Sequence, residues 1–360
     1  MWQQTLNELR VELELTPASP ILIKDGRHNP KPHPDSDRRD KSRPQIYFHR
    51  SAKRSPERPR SREGRGFGNY ANPDECFDMA FVHSRTPQGD RFYLPGSSLR
   101  GVLRSAAERI VGRWQPKLVG EPFNNPAQDW VQRERSALHR VTGAQIYNRA
   151  GPIERCFGHT ALRGHWRCAD AWMQDESQAA VVVRDGVGIN RRTGSAQNDI
   201  KFQFEAISGG VFQTTLTMVN YELWQLGLLA HVLAALDDGT MWLGYGSHRG
   251  LGRVQVRVSR MLWRWYGQQP DRAEVPTPIP SLAALAEQAN VTLQHDYGWH
   301  DSSLIVAIPL AYSAGTLVPD WVWTPTQDTA TDWDVAPWRD FGPLLPLAIQ
   351  AWPVPMEQTP

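Results

Sequence analysis

One stretch constrains the fold more than any other: "LWQLGLLAHVLAAL" at 223–236. It is too short to span a bilayer, and Gln225 and His231 interrupt it. A helix this apolar must be covered by the rest of the chain, so it reads as a packed helix inside a layered domain. Its neighbours read as strands. Upstream, "IKFQFEAISGGVFQTTLTM" (200–218) is expected to be a β-hairpin turning at Gly209-Gly210. Downstream, "RVQVRVSRM" (253–261) alternates apolar and polar residues.

Earlier segments complete the pattern. "ELRVELELTPASPILI" (8–23) alternates, then turns at Pro17 and Pro20. In "FYLPGSSLRGVLRSAAERIVGR" (92–113), Leu99, Leu103, Ala106 and Ile110 make one helical stripe. Ser97 or Ser98 is placed to cap that helix, and Arg100 and Arg104 lie one turn apart on another face. "HWRCADAW" (165–172) and "AAVVVRDGVGI" (179–189) read as strands, with 190–199 as a loop. The order predicts an α+β fold: a ferredoxin-like (RRM-like) β-α-β-β-α-β core with long insertions, closing near residue 261. Residues 262–360 form a Pro/Trp-rich C-terminal extension. It holds one more candidate strand (303–312) and an irregular arm (338–355). That arm either packs on a neighbouring subunit or adds to the same core.

Charge is unevenly spread. The net charge is +2, yet residues 24–65 carry fourteen Lys/Arg against six Asp/Glu. The 24–75 segment lacks an apolar period and reads as a basic flexible insertion. Its charge suits a polyanion, with Tyr47, Phe48, Phe67 and Tyr70 as stacking platforms; a solvated tether is the plain alternative. Three cysteines make a disulfide framework the wrong expectation and a reducing cytoplasm the default. "MWQQTLNELR" lacks the basic start and apolar core of a signal peptide, and no membrane association is expected.

The candidate binding features are bare and basic. "GYGSHRGLGRVQV" (244–256) sets Gly244, Gly246, Gly250 and Gly252 beside Arg249 and Arg253, just before a strand. Such a loop offers backbone N–H groups to phosphate oxygens. It is not a P-loop, since no Lys-Ser/Thr follows and the next element is a strand. The helix start at 97 would add N–H groups and a positive dipole. Cys156, His159, His165 and Cys168 form C-x2-H-x5-H-x2-C, which suits Zn²⁺ on paper; the alternative is that the cysteines are ordinary core residues.

Four stretches together resemble the repeat-associated mysterious protein (RAMP) superfamily, and within it the backbone subunits of type III CRISPR effector complexes. They are "YLPGSSLRGVLR" (93–104), "RCFGHTALRGHWRCADA" (155–171), "VGINRRTGSAQ" (187–197) and "LGYGSHRGLGRVQV" (243–256). The resemblance covers roughly 6–261, which makes 1–261 the expected RAMP domain, and implies a thumb-like hairpin around 187–197. It implies partners: CRISPR guide RNA, target RNA and other Cas effector subunits. Guide contacts would come from Ser97, Ser98, Arg100 and Arg104, and from Gly246, His248, Arg249 and Gly250. Thumb contacts would come from Ile189, Asn190, Arg191 and Arg192, with Asn190 standing where the family has Asp.

Slicing members carry an Asp between the first strand and first helix. Asp78 is the candidate here and Asp74 its rival. The resemblance implies Mg²⁺-assisted attack of a ribose 2′-hydroxyl on target RNA. Two alternatives stand beside this: a non-catalytic scaffold or end subunit, and a guide-processing endoribonuclease using a histidine such as His28, His33, His49 or His83.

Overall fold

The computed structural model describes residues 5–24, 79–87, 89–119, 126–136, 141–266, 278–289, 304–305, 311–313, 320–325, 333 and 337–352. Helices and strands are mixed, as the order of segments predicts. The strands before the long helix are β1 (Asn7–Pro17), β2 (His83–Thr86), β3 (Gly89–Leu94), β4 (Gly158–His159), β5 (Leu162–Arg163), β6 (Trp166–Cys168) and β7 (Ala171–Met173). They continue with β8 (Val181–Ile189), β9 (Ala196–Ile207) and β10 (Phe212–Val219). After that helix come β11 (Val254–Trp265), β12 (Pro278–Ile279), β13 (Leu304–Ile305), β14 (Ala311–Ser313) and β15 (Asp320–Trp323). The helices are α1 (Gly96–Trp114), α2 (Pro126–Ser136), α3 (Gly143–Arg149), α4 (Pro152–Phe157), α5 (Trp224–Asp237), α6 (Leu282–Gln288), α7 (Trp338–Phe341) and α8 (Leu344–Ala351).

The main sheet runs β14-β15-β11-β1-β10-β7-β3-β2, and β6 also pairs with β10. Alternation on β1 decides its two faces. Leu9, Val11, Leu13 and Leu15 are buried, and Leu13 and Leu15 share a small apolar cavity with Leu99 and Leu103 of α1 and Leu233 and Leu236 of α5. The other face carries cross-strand ion pairs, Arg257–Glu14 at 2.9 Å and Arg260–Glu12 at 3.4 Å.

The expected 200–218 hairpin does not form. β9 pairs back onto β8, while β10 joins β1 in the main sheet. Gly209-Gly210 passes the chain from one sheet to another, with Gly210 at φ 85. The β9 residues Phe204 and Ala206 pack with Leu22 and Leu251 in a cluster separate from the main core, which is why β9 leaves the sheet.

The cover over α5 comes from the C-terminal arm. The expectation of an irregular arm at 338–355 is corrected: it contains α7 and α8, and both pack on α5. Pro346 lies at the third residue of α8, where a missing N–H removes no helical bond. Gly227 of α5 is the point of closest approach; a Cβ there would sit 2.7 Å from Leu345 N and Phe341 O. Leu226, Leu228, Leu229, Val232 and Leu233 are fully buried, each contributing about 1.5–3 kcal/mol by leaving water. The two polar interruptions are docking points. His231 Nε2 donates to Gly342 O at 3.1 Å. Gln225 accepts from Trp166 Nε1 at 3.1 Å and reaches His165 Nδ1 at 3.1 Å.

Candidate functional site

The sequence-predicted site residues fall into two groups with different neighbours. The first group joins the glycine-rich loop to the β8–β9 hairpin. All four loop glycines have positive φ. At Gly244 and Gly252 a side chain would also strike backbone, Leu22 O and Leu243 O respectively. The loop is therefore shaped by its own packing.

One expectation about this loop is corrected. Its amides are not generally left open for a ligand: Gly250 N donates to Ser247 O at 3.1 Å, and Gly252 N donates to Pro20 O at 2.9 Å. These internal bonds hold a short 3-10 turn, Ser247–Arg249, whose side chains are exposed. Arg249 lies over the Phe202 ring of β9 at 4.9 Å and the Tyr245 ring at 5.9 Å. Lys24 Nζ stands 3.5 Å above the same Tyr245 ring. Loop and hairpin base thus share one basic, aromatic-backed surface.

The hairpin itself projects from the fold. β8 is buried at its base and exposed toward its tip, where Val187 and Ile189 are 50% and 56% exposed. Asn190 Oδ1 accepts from Arg192 N at 2.9 Å and Thr193 N at 3.3 Å, an Asx turn that sets the tip. Arg191 and Arg192 are exposed there. Asn serves this turn as well as Asp would, since the carbonyl oxygen is the acceptor used.

The second group lies along α1. Ser97 is exposed and Ser98 half-buried, but neither caps the helix. Gly96 N donates instead to Asp170 Oδ1 at 2.7 Å. A tertiary contact thus replaces the local serine cap and places a carboxylate at the positive end of the helix. Arg100 and Arg104 are held inward. Arg100 donates to Phe157 O, and Arg104 pairs with Glu108 at 2.9 Å and reaches Gly158 O at 3.4 Å.

Beside them opens a groove of about 570 Å³, walled by Arg100, Arg104, His159, Arg163 and Arg167 over a floor that includes Phe157 and Trp166. Arg163 and Arg167 are exposed, with no ion pair among the described residues. They sit in the segment "RCFGHTALRGHWRCADA", but sequence reasoning assigned them no role. The signal was present: two arginines flank the Gly164 turn between two short strands.

The zinc arrangement is corrected. Among the described residues no three His, Cys, Asp or Glu side chains converge on a metal position. Cys156 is fully buried in the core, and burial, then the Glu222 charge, pushes its thiol well up. His165 stacks on Tyr147 at 5.1 Å and is pushed down to about 4 by burial. Burial drives Cys168 up to about 12, against the pull of Arg100. His159 Nδ1 accepts from Ala161 N at 3.2 Å, and burial, then Arg104, lowers its pKa.

Asp78 and Asp74 lie outside the described residues, as do His28, His33 and His49 and the aromatic residues of the basic segment. The next described residue, Met79, donates its N–H to Gln203 O at 3.1 Å and bridges to Phe204 of β9. His83 is half-buried, with Nδ1 3.4 Å from Phe81 O.

Among the described residues no helix is long and apolar enough to cross a membrane. Residues 80–255 match the model of the RAMP superfamily. No curated protein matches the chain.

Proposed function

Through residues 80–255 the chain belongs to the RAMP superfamily, whose role is CRISPR-associated and RNA-binding, and from that premise we propose that it is a guide-RNA-binding backbone subunit of a type III effector complex. The observation that carries this reading is the shared surface of the glycine-rich loop and the projecting hairpin, joined at Arg249 and Phe202. A guide strand would run over it, with backbone phosphates against Ser97, Ser98, Arg100 and Arg104 and against Gly246, His248, Arg249 and Gly250. Ile189, Asn190, Arg191 and Arg192 would stand between guide and target. An exposed apolar pair beside exposed arginines suits that place, because it can lie against bases while the charges meet phosphates.

The RAMP unit is assigned to 1–261, with 24–75 as its basic insertion and 262–360 as a C-terminal extension. Its core is proposed as ferredoxin-like. Support comes from the strand order β11-β1-β10-β7, with α1 and α5 against one face.

Target cleavage is the finer part of the proposal. The ribose 2′-oxygen attacks the adjacent phosphorus and its proton passes to a carboxylate. The bond to the 5′-oxygen breaks, that oxygen takes a proton, and the products are a 2′,3′-cyclic phosphate and a 5′-hydroxyl. Asp78 is the proposed carboxylate, with Asp74 as rival. Mg²⁺ is expected from the resemblance; the same carboxylate would hold it, and the ion would supply charge opposite the developing oxyanion.

The test uses the assembled complex, guide RNA, Mg²⁺ and a matched end-labelled target. With Asp78→Ala, one or more cleavage bands should vanish while target stays bound. If every band persists in both Asp78→Ala and Asp74→Ala, the subunit is a non-cutting scaffold.

A further inference from the structure

We propose that the arginine-walled groove beside β6 holds the phosphodiester backbone of single-stranded RNA, with Arg163 and Arg167 as its contacts and Arg100 and Arg104 as its inner wall. This rests on the RNA-binding reading above, which already sets Arg100 and Arg104 against phosphates, and extends it to Arg163 and Arg167, away from the loop and hairpin. In the order β11-β1-β10-β6, three strand spacings, roughly 14 Å, separate the groove edge from the strand that follows the glycine-rich loop.

Three observations point to phosphates. First, four arginines line the groove and no carboxylate does; Glu108 pairs with Arg104. Arg100 and Arg104 are fixed by carbonyl contacts, while Arg163 and Arg167 are exposed and have no ion pair among the described residues. Guanidinium groups present paired donors that match phosphate oxygens. Second, the ring of His159 is set as a donor. Its Nδ1 accepts the Ala161 N–H, so the neutral ring carries its proton on Nε2, and that atom is buried in the groove wall with no partner among the described residues. Third, the aromatic floor is buried: Phe157 and Trp166 are each 1% exposed. No Phe, Tyr or Trp ring is exposed in the groove to stack a base, so recognition is of backbone and largely blind to sequence. The same lack of an exposed apolar anchor argues against a protein partner, which would need one at the centre of its interface.

The test measures binding of fluorescein-labelled single-stranded RNA to the full chain across a salt series. The variant is Arg163→Gln with Arg167→Gln, and Arg249→Ala is the comparison. In the double variant the slope of log Kobs against log salt should become shallower by about 1.4, near 0.7 per lost phosphate contact. The loss should be equal for A-rich and U-rich RNA. An unchanged slope in the double variant, with Arg249→Ala weakened, overturns the groove and leaves the RNA-binding reading standing. A wild type that binds no RNA overturns both. Unchanged RNA binding with lost recovery of partner subunits makes the groove a protein interface and also overturns the proposal.

Discussion

Arg155 and the pair Arg163/Arg167 lie within one short segment and are used in opposite ways. Arg155 is 1% exposed, pairs with a fully buried Glu222 at 3.0 Å and donates to Ala150 O at 3.2 Å. Its guanidinium lies between the rings of Tyr147 at 4.4 Å and Trp352 at 4.5 Å, and Tyr147 OH donates to Glu222 at 2.6 Å. Arg163 and Arg167 stand in solvent at the rim of the groove. A buried charge is tolerable only when it is paired and hydrogen-bonded, so the first arginine belongs to the fold. An exposed one without an ion pair contributes little to stability and is available to a ligand.

That contrast makes ranked predictions. The largest effect is expected for Arg155→Ala, which strands the Glu222 carboxylate and should lower unfolding free energy by about 3–5 kcal/mol in urea titrations. A loss below about 1 kcal/mol would break the comparison. His165 belongs to the same buried cluster. Its folded pKa of about 4 lies below its ordinary 6.5, so the unfolded chain takes up a proton that the folded one refuses. Stability from this group is complete above pH 6.5 and should fall as the pH drops toward 4, by about 1.4 kcal/mol per unit. His165→Asn should flatten that slope. Gly227→Ala should gain helix propensity yet lose about 1–3 kcal/mol overall, because its Cβ meets the backbone of α7 and α8. The smallest effect is expected for Arg163→Gln with Arg167→Gln: stability within about 0.5 kcal/mol of wild type by the same titration, despite the change in RNA binding.

Much of the frame was legible in the sequence. Apolar stripes such as Leu99, Leu103 and Ala106 depend only on local period, and the structure buries them as expected. The misread parts depended on distant partners. Gly209-Gly210 looks like a hairpin turn, but only the pairing of β9 with β8 reveals that it changes sheets. Ser97 and Ser98 look like caps, but Asp170 is brought to Gly96 by the sheet. The loop glycines look like an open cradle, yet Pro20 and Ser247 carbonyls take two of the amides. The groove was hidden for the same reason: Arg100 and Arg163 line one groove only because α1 packs on α4 and β6.

The arm over α5 also gives the fold a timetable. α7 and α8 follow α5 by roughly a hundred residues. At ordinary elongation rates that interval lasts on the order of ten seconds, with the outer side of α5 made but uncovered. Over that window the helix that most constrains the fold is also its stickiest surface. A premature stop before Trp338 would leave that face of α5 without the helices that cover it.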